Sequence, residues 1–142
     1  MCIILLIKGG NTMFGETPMF GQNELAVDSK GRISIPASTK RENGEELVLI
    51  HNKDLGVYEI YSVLKLKERF ESINKLIIEA KTKKEKLFYE RMLCEISKSI
   101  LRSEKVDCQG RFSTGKTFED CDKVQSTGAY DHLIIDKVKK KK

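Results

Sequence analysis

Apolar and polar residues alternate with a short period before residue 62, shift to a helical period through residue 102, and return to the short period afterwards. The first set comprises a run ending at Val27, Ile33-Ser34-Ile35, Leu47-Val48-Leu49-Ile50 and Val57-Tyr58-Glu59-Ile60-Tyr61. Polar residues Ser38 to Glu46 follow the second run, and His51 to Gly56 break the chain before the fourth. The last set comprises a run ending at Val106, Phe112-Ser113-Thr114, a short strand near Val124 and Leu133-Ile134-Ile135. Here the polar stretch is Gly115 to Lys123 and the break is Ser126-Thr127-Gly128. In the middle, Leu66, Phe70, Ile73 and Ile77 recur at helical spacing, as do Tyr89, Leu93, Ile96 and Ile100. Thr82 and Glu85 between them form a capping-box pattern that starts the second helix. The pattern predicts an α+β chain of four strands, a helical hairpin and four more strands.

The two strand sets repeat a short phrase. Val27-Asp28-Ser29-Lys30-Gly31-Arg32-Ile33-Ser34 is matched by Val106-Asp107-Cys108-Gln109-Gly110-Arg111-Phe112-Ser113, 79 residues on. In each copy a strand enters Asp-x-x-Gly-Arg and a second strand leaves it, the Gly supplying the positive φ of a tight turn. One copy alone is most simply a surface turn with a weakly paired Asp and Arg. Two copies, each followed by matching strands, point to a duplicated unit. The Arg after each turn then stands where a long cationic side chain can reach outward as a nucleic-acid probe.

These residues resemble the MraZ family of division and cell-wall cluster transcriptional repressors, which are built from two SpoVT/AbrB-like swapped-hairpin modules. The resemblance runs from Met19-Phe20-Gly21 to Asp136 and includes both turns and Ile33-Ser34-Ile35-Pro36-Ala37. It implies two pseudo-symmetric AbrB-like β modules of double-psi, swapped-hairpin barrel type, residues 19–61 and 103–136. A helical hairpin would occupy 62–102, an extension 1–18 and a basic tail 137–142. It also implies that the turns contact double-stranded DNA, at Asp28, Ser29, Lys30, Gly31 and Arg32 in the first copy and Asp107, Gln109, Gly110 and Arg111 in the second. The expected protein is a sequence-specific regulator at a promoter with repeated boxes. It would act as a ring-shaped homo-oligomer, cytoplasmic and nucleoid-associated, without a small-molecule substrate or membrane partner. Three departures stand out. The second copy has Thr114-Gly115 in place of Ile35-Pro36 and Cys108-Gln109 in place of Ser29-Lys30, and no further helix follows its last strand. An AbrB-type antitoxin and a non-DNA-binding oligomeric scaffold are the alternative readings.

Charge sharpens this picture by where it lies. The formal net charge of +5 equals the five lysines of the Lys137–Lys142 tail, so the remainder is formally neutral. Residues 19–61 carry five cations and seven anions, and residues 103–136 carry four and seven. Residues 62–102 carry eleven and six. Binding to DNA would therefore depend on the display of Lys30, Arg32, Lys40 and Arg41, multiplied by oligomerisation, and not on bulk charge. The two helices read most simply as an ordinary antiparallel pair packed on the barrel; the sharper reading is that Ile78, Leu87, Phe88 and Met92, which fall off the two stripes, bury against a neighbouring subunit.

Other chemistry finds little footing. Met1 to Ile7 is apolar but far short of the ~20 residues of a membrane span, and it lacks the flanks of a signal peptide. It reads as untranslated leader, since Lys8-Gly9-Gly10 can be encoded by a ribosome-binding sequence at a suitable distance from Met13. Cys2, Cys94, Cys108 and Cys121 form no Cys-x-x-Cys pair, and His51 and His132 are isolated, so no metal site or cofactor is expected. Scattered cysteines of this kind fit reduced thiols in a cytoplasm. Thr114-Gly115-Lys116-Thr117 has the end of a phosphate loop without its first Gly, and reads as a chance match. Carboxylate pairs such as Glu45-Glu46 and Glu119-Asp120 fall in polar segments and read as solvated, so no enzyme is expected.

Overall fold

The structure is a computed structural model that describes Phe14, residues 18–36 and residues 44–140, with Lys139 and Lys140 described by backbone alone. In chain order the elements are β1 (Gln22–Ala26), β2 (Arg32–Ser34), β3 (Glu46–Asn52) and β4 (Val57–Ser62). Helices α1 (Val63–Glu79) and α2 (Lys83–Ser99) follow, then β5 (Ile100–Lys105), β6 (Arg111–Ser113), β7 (Cys121–Gly128) and β8 (Leu133–Lys140). This is the α+β architecture that the sequence predicts. Most of the polar stretch Ser38 to Glu46, through residue 43, and the leader reading of Met1 to Met13 lie outside the described residues.

The strands of the two copies interleave. A six-stranded antiparallel sheet runs β1-β7-β8-β4-β3-β5, and β2 pairs with β6 in a separate two-stranded ribbon. The links β1–β7, β8–β4, β3–β5 and β2–β6 each join a strand of the first copy to one of the second. One core results, with Leu25, Ile33, Ile35, Leu47, Leu49 and Ile60 from the first copy packed on Val106, Phe112, Phe118, Val124, Leu133 and Ile135 from the second. Phe14, expected in an extension outside the fold, is fully buried there, and its backbone N–H donates to both carboxylate oxygens of Glu45 at 3.1 and 2.9 Å.

The period of two in β3 has a direct consequence. Leu47 and Leu49 enter this core, while Val48 and Ile50 face the other way and meet Tyr61, Leu66, Phe70, Ile96 and Ile100 under the helices. Helix α1 begins at a buried serine whose Oγ accepts from the Lys65 N–H at 3.0 Å, a cap at Ser62. Helix α2 begins as predicted, with Thr82 Oγ1 accepting from the Glu85 N–H at 3.1 Å and Glu85 accepting from the Lys81 N–H at 3.0 Å. Ile78, Leu87 and Phe88 are exposed, and Met92 stands at the margin of exposure. Among the described residues no helix is long and apolar enough to cross a membrane.

Four boundaries differ from the sequence pattern. Ser126-Thr127-Gly128 is strand, because β7 is paired on both sides there and Ser126 is buried with its Oγ donating to the Asn23 carbonyl. The break falls instead after Gly128, where Tyr130 takes a φ of 73°. Ile100 opens β5 and does not close the second helix. Residues 115–120 form successive four-residue turns, with Thr117, Glu119 and Cys121 N–H groups donating to the carbonyls of Thr114, Lys116 and Phe118. Finally, the expected basic tail starts as strand: β8 pairs with β7 as far as Lys140, and Lys137 Nζ lies 3.2 Å from Asp120 Oδ1.

Candidate nucleic-acid interface

The two repeated phrases fold into the same turn, bond for bond. In the first, the Asp28 N–H donates to the Arg32 carbonyl at 3.0 Å and the Gly31 N–H returns to the Asp28 carbonyl at 3.0 Å. Asp28 Oδ1 accepts from the Lys30 and Arg32 N–H groups, each at 2.9 Å, and Oδ2 accepts from Arg32 Nε at 2.8 Å. In the second, Asp107 Oδ1 accepts from the Gln109 and Arg111 N–H groups at 2.9 Å, and Oδ2 accepts from Arg111 Nε at 2.8 Å. Gly31 and Gly110 sit at φ 76° and 77°, where an L side chain is disfavoured. The Asp is thus the organiser of the turn, which is why the motif needs a short carboxylate at its first position.

Electrostatics follow from those bonds. The Arg32 backbone N–H, with its guanidinium and the Lys30 N–H, holds the Asp28 carboxyl down to about 2. The Arg111 backbone N–H and guanidinium lower that of Asp107 in the same way. Each Arg is drawn back against its turn: the side chains of Arg32 and Arg111 are 27% and 30% exposed. They do not project from the hairpin tip as the sequence pattern implies. Nε is committed to the Asp, and the Nη edge of each guanidinium is left without a hydrogen bond among the described residues.

The ribbon brings the two turns together. Its register sets Arg32 opposite Ser113, Ile33 opposite Phe112 and Ser34 opposite Arg111. Ile33 and Phe112 point into the core, both fully buried. Alternation places Arg32, Ser34, Arg111 and Ser113 on the opposite face, and the two Arg form a diagonal pair whose Cα atoms stand about 7–8 Å apart in such a register. Ser29, Lys30, Cys108 and Gln109 are exposed at the turn tips.

Each turn is also clamped by the other copy. The Ile35 N–H donates to the Gly110 carbonyl at 2.8 Å, and at the equivalent position the Thr114 N–H donates to the Gly31 carbonyl at 2.8 Å. Thr114 adds its hydroxyl, which donates to the same Gly31 oxygen at 2.6 Å. Gly31 lies so close to the Gly115 carbonyl that a β-carbon would not fit, and the Arg102 guanidinium packs against the far side of Gly115. Arg102 is ion-paired with Glu104. The Thr114-Gly115 departure from the first copy is therefore the seat of the first turn. Sequence reasoning missed Thr114, Gly115 and Arg102; the one available signal was that Gly replaces Pro at a repeated position.

A second polar cluster serves the fold. His132 stacks on Tyr61 at 4.4 Å, its Nδ1 is 2.9 Å from Asp131 Oδ1, and the Tyr61 hydroxyl accepts from Arg69 Nη1 at 2.8 Å. Burial pushes the Tyr61 hydroxyl up to about 12, so it stays protonated and ties α1 to the sheet. Among the described residues no group of three His, Cys, Asp or Glu side chains is placed to hold a metal ion. Neither a scan against models of known protein families nor a search of curated proteins finds a match to this chain.

Proposed function

We propose that this protein is a sequence-specific DNA-binding transcriptional regulator of the MraZ type, its two repeats forming SpoVT/AbrB-like swapped-hairpin modules of one barrel. The observation that carries the reading is the ribbon: two identical Asp-organised turns, locked by each other's copy, with Arg32 and Arg111 on one outward face. A rigid two-stranded ribbon is a shape that the major groove admits. Arg32 and Arg111 would offer their Nη edges to guanine or to phosphate, and backbone N–H groups and Lys30 would fix register. Preorganisation supports this use, since a side chain already held at Nε loses less freedom on binding.

A single ribbon makes few contacts, so useful affinity requires several subunits on repeated boxes. The exposed Ile78, Leu87 and Phe88 of the helical hairpin supply apolar surface for that assembly. A gel-shift with the DNA upstream of the protein's own gene against scrambled competitor tests the reading. Selective retardation that Arg32→Ala abolishes is the expected result. Oligomer formation with no retardation of either DNA would favour the scaffold reading instead.

A further inference from the structure

Within the Gly-Lys-Thr end of a phosphate loop at Gly115-Lys116-Thr117, Gly115 seats the first turn, but Lys116 has no part in that contact. The fold gives Lys116 a use. Because Gly31 lies directly against Gly115, the residues beside them, Lys30 and Lys116, flank one contact although they are 86 positions apart in the chain. Both lysines are exposed, and neither forms an ion pair among the described residues. Asp28 is engaged by Arg32 and Glu104 by Arg102, while Glu119, whose N–H donates to the Lys116 carbonyl, forms no ion pair among the described residues. The corresponding point at the second turn has Gln109 in place of Lys30, so among the described residues this pair of lysines is found at the first turn.

We infer that Lys30 and Lys116 together form a phosphate-binding subsite beside the first turn, which grips the phosphodiester backbone of double-stranded DNA while Arg32 faces the bases. The inference rests on the DNA-binding reading above and adds to it a residue, Lys116, contributed by the other repeat. Two mobile ammonium groups suit a phosphate contact, since a Lys is a point charge without the planar fork that base recognition uses. The subsite also accounts for a glycine at 115. Gly115 takes a φ of 62°, and a β-carbon there would run into the Arg102 guanidinium, whereas one at Gly31 would run into the Gly115 carbonyl, so a close approach of the two segments needs both glycines.

The test is the salt dependence of binding, measured by fluorescence anisotropy on a random-sequence duplex and on the DNA upstream of the gene. Removing one bound phosphate from the interface lowers the slope of log K against log salt by about 0.9 per engaged subunit. Lys116→Ala is expected to lower the slope by about that amount, with Lys30→Ala similar, and to weaken both duplexes equally. The ratio between upstream and random DNA should stay within about twofold of the unsubstituted protein. Lys84→Ala at the exposed start of α2 removes the same charge far along the chain and should leave the slope unchanged. An unchanged slope for Lys116→Ala in a protein that otherwise binds DNA overturns the subsite alone. So does an equal fall for Lys84→Ala, or loss of discrimination in Lys116→Ala. If the unsubstituted protein binds neither duplex at low salt, the subsite and the DNA-binding reading fall together.

Discussion

At the scale of single residues, the Asp of each turn governs what its Arg can do. Arg32→Ala is expected to weaken binding to cognate DNA by about 1–3 kcal/mol per subunit. Arg111→Ala should cost less, because its turn has Gln109 where the first has Lys30 and receives no hydroxyl like that of Thr114. Competition binding with both variants checks the order. The depressed carboxyl of Asp28 fixes a pH dependence. A carboxylate whose pKa falls on folding, here from 3.8 to about 2, adds stability that is present above its ordinary value and disappears as pH drops toward 2. The turn should therefore keep its geometry from pH 8 down to about 4 and loosen below, which a side-chain carboxyl NMR titration of Asp28 reads directly. Gly31→Ala meets both a positive φ and the Gly115 carbonyl, and should cost about 2 kcal/mol or more in chemical denaturation. The turns were legible in the sequence because every bond that shapes them lies within five residues. The clamp of Thr114 on Gly31 was not, since nothing local announces a contact across 83 positions.

Among the elements, the helical hairpin was the most legible. Its stripes and the Thr82 cap emerge where the spacing puts them, and only the Ser62 cap and the end at Ile100 escaped, because strand pairing and not periodicity decides those boundaries. Thr82→Ala should destabilise by about 1 kcal/mol, the usual value of an N-cap, as measured by urea unfolding. The apolar residues left over by those stripes are the test of assembly. Phe88 is 62% exposed and lines a groove between α2 and the β3–β4 turn with Met92. Phe88→Glu should shift the assembly mass to that of a smaller species in light scattering while circular dichroism stays unchanged, and DNA affinity should fall as multivalency is reduced. An unchanged mass for the folded variant would remove this ridge from the subunit interface.

For the molecule as a whole, the pattern of eight strands and two helices was readable, but not which strand would lie beside which. Strand propensity is local, whereas the pairing that interleaves the repeats is set by the shared core. The lysine run shows the difference. Read as composition it is a flexible tail, yet Lys137 to Lys140 continue β8 and flank β7. Removing residues 137–142 should accordingly lower stability in urea, beyond any flattening of the salt dependence of DNA binding.

The order of strands in the sheet also sets when the protein can be finished. Among the described residues the only strand beside β1 in the sheet is β7, with Gln22 set against Thr127. At a synthesis rate of about 5–20 residues per second, the first strand waits several seconds for a neighbour that the ribosome has yet to make. Domains commonly fold from the N-terminus as they emerge, but here β1 has no neighbour in the sheet until β7 has been made, and a ribosome stalled before that point would leave it bare. A pulse-labelled arrest series should find the N-terminal residues protease-sensitive until β7 clears the exit tunnel.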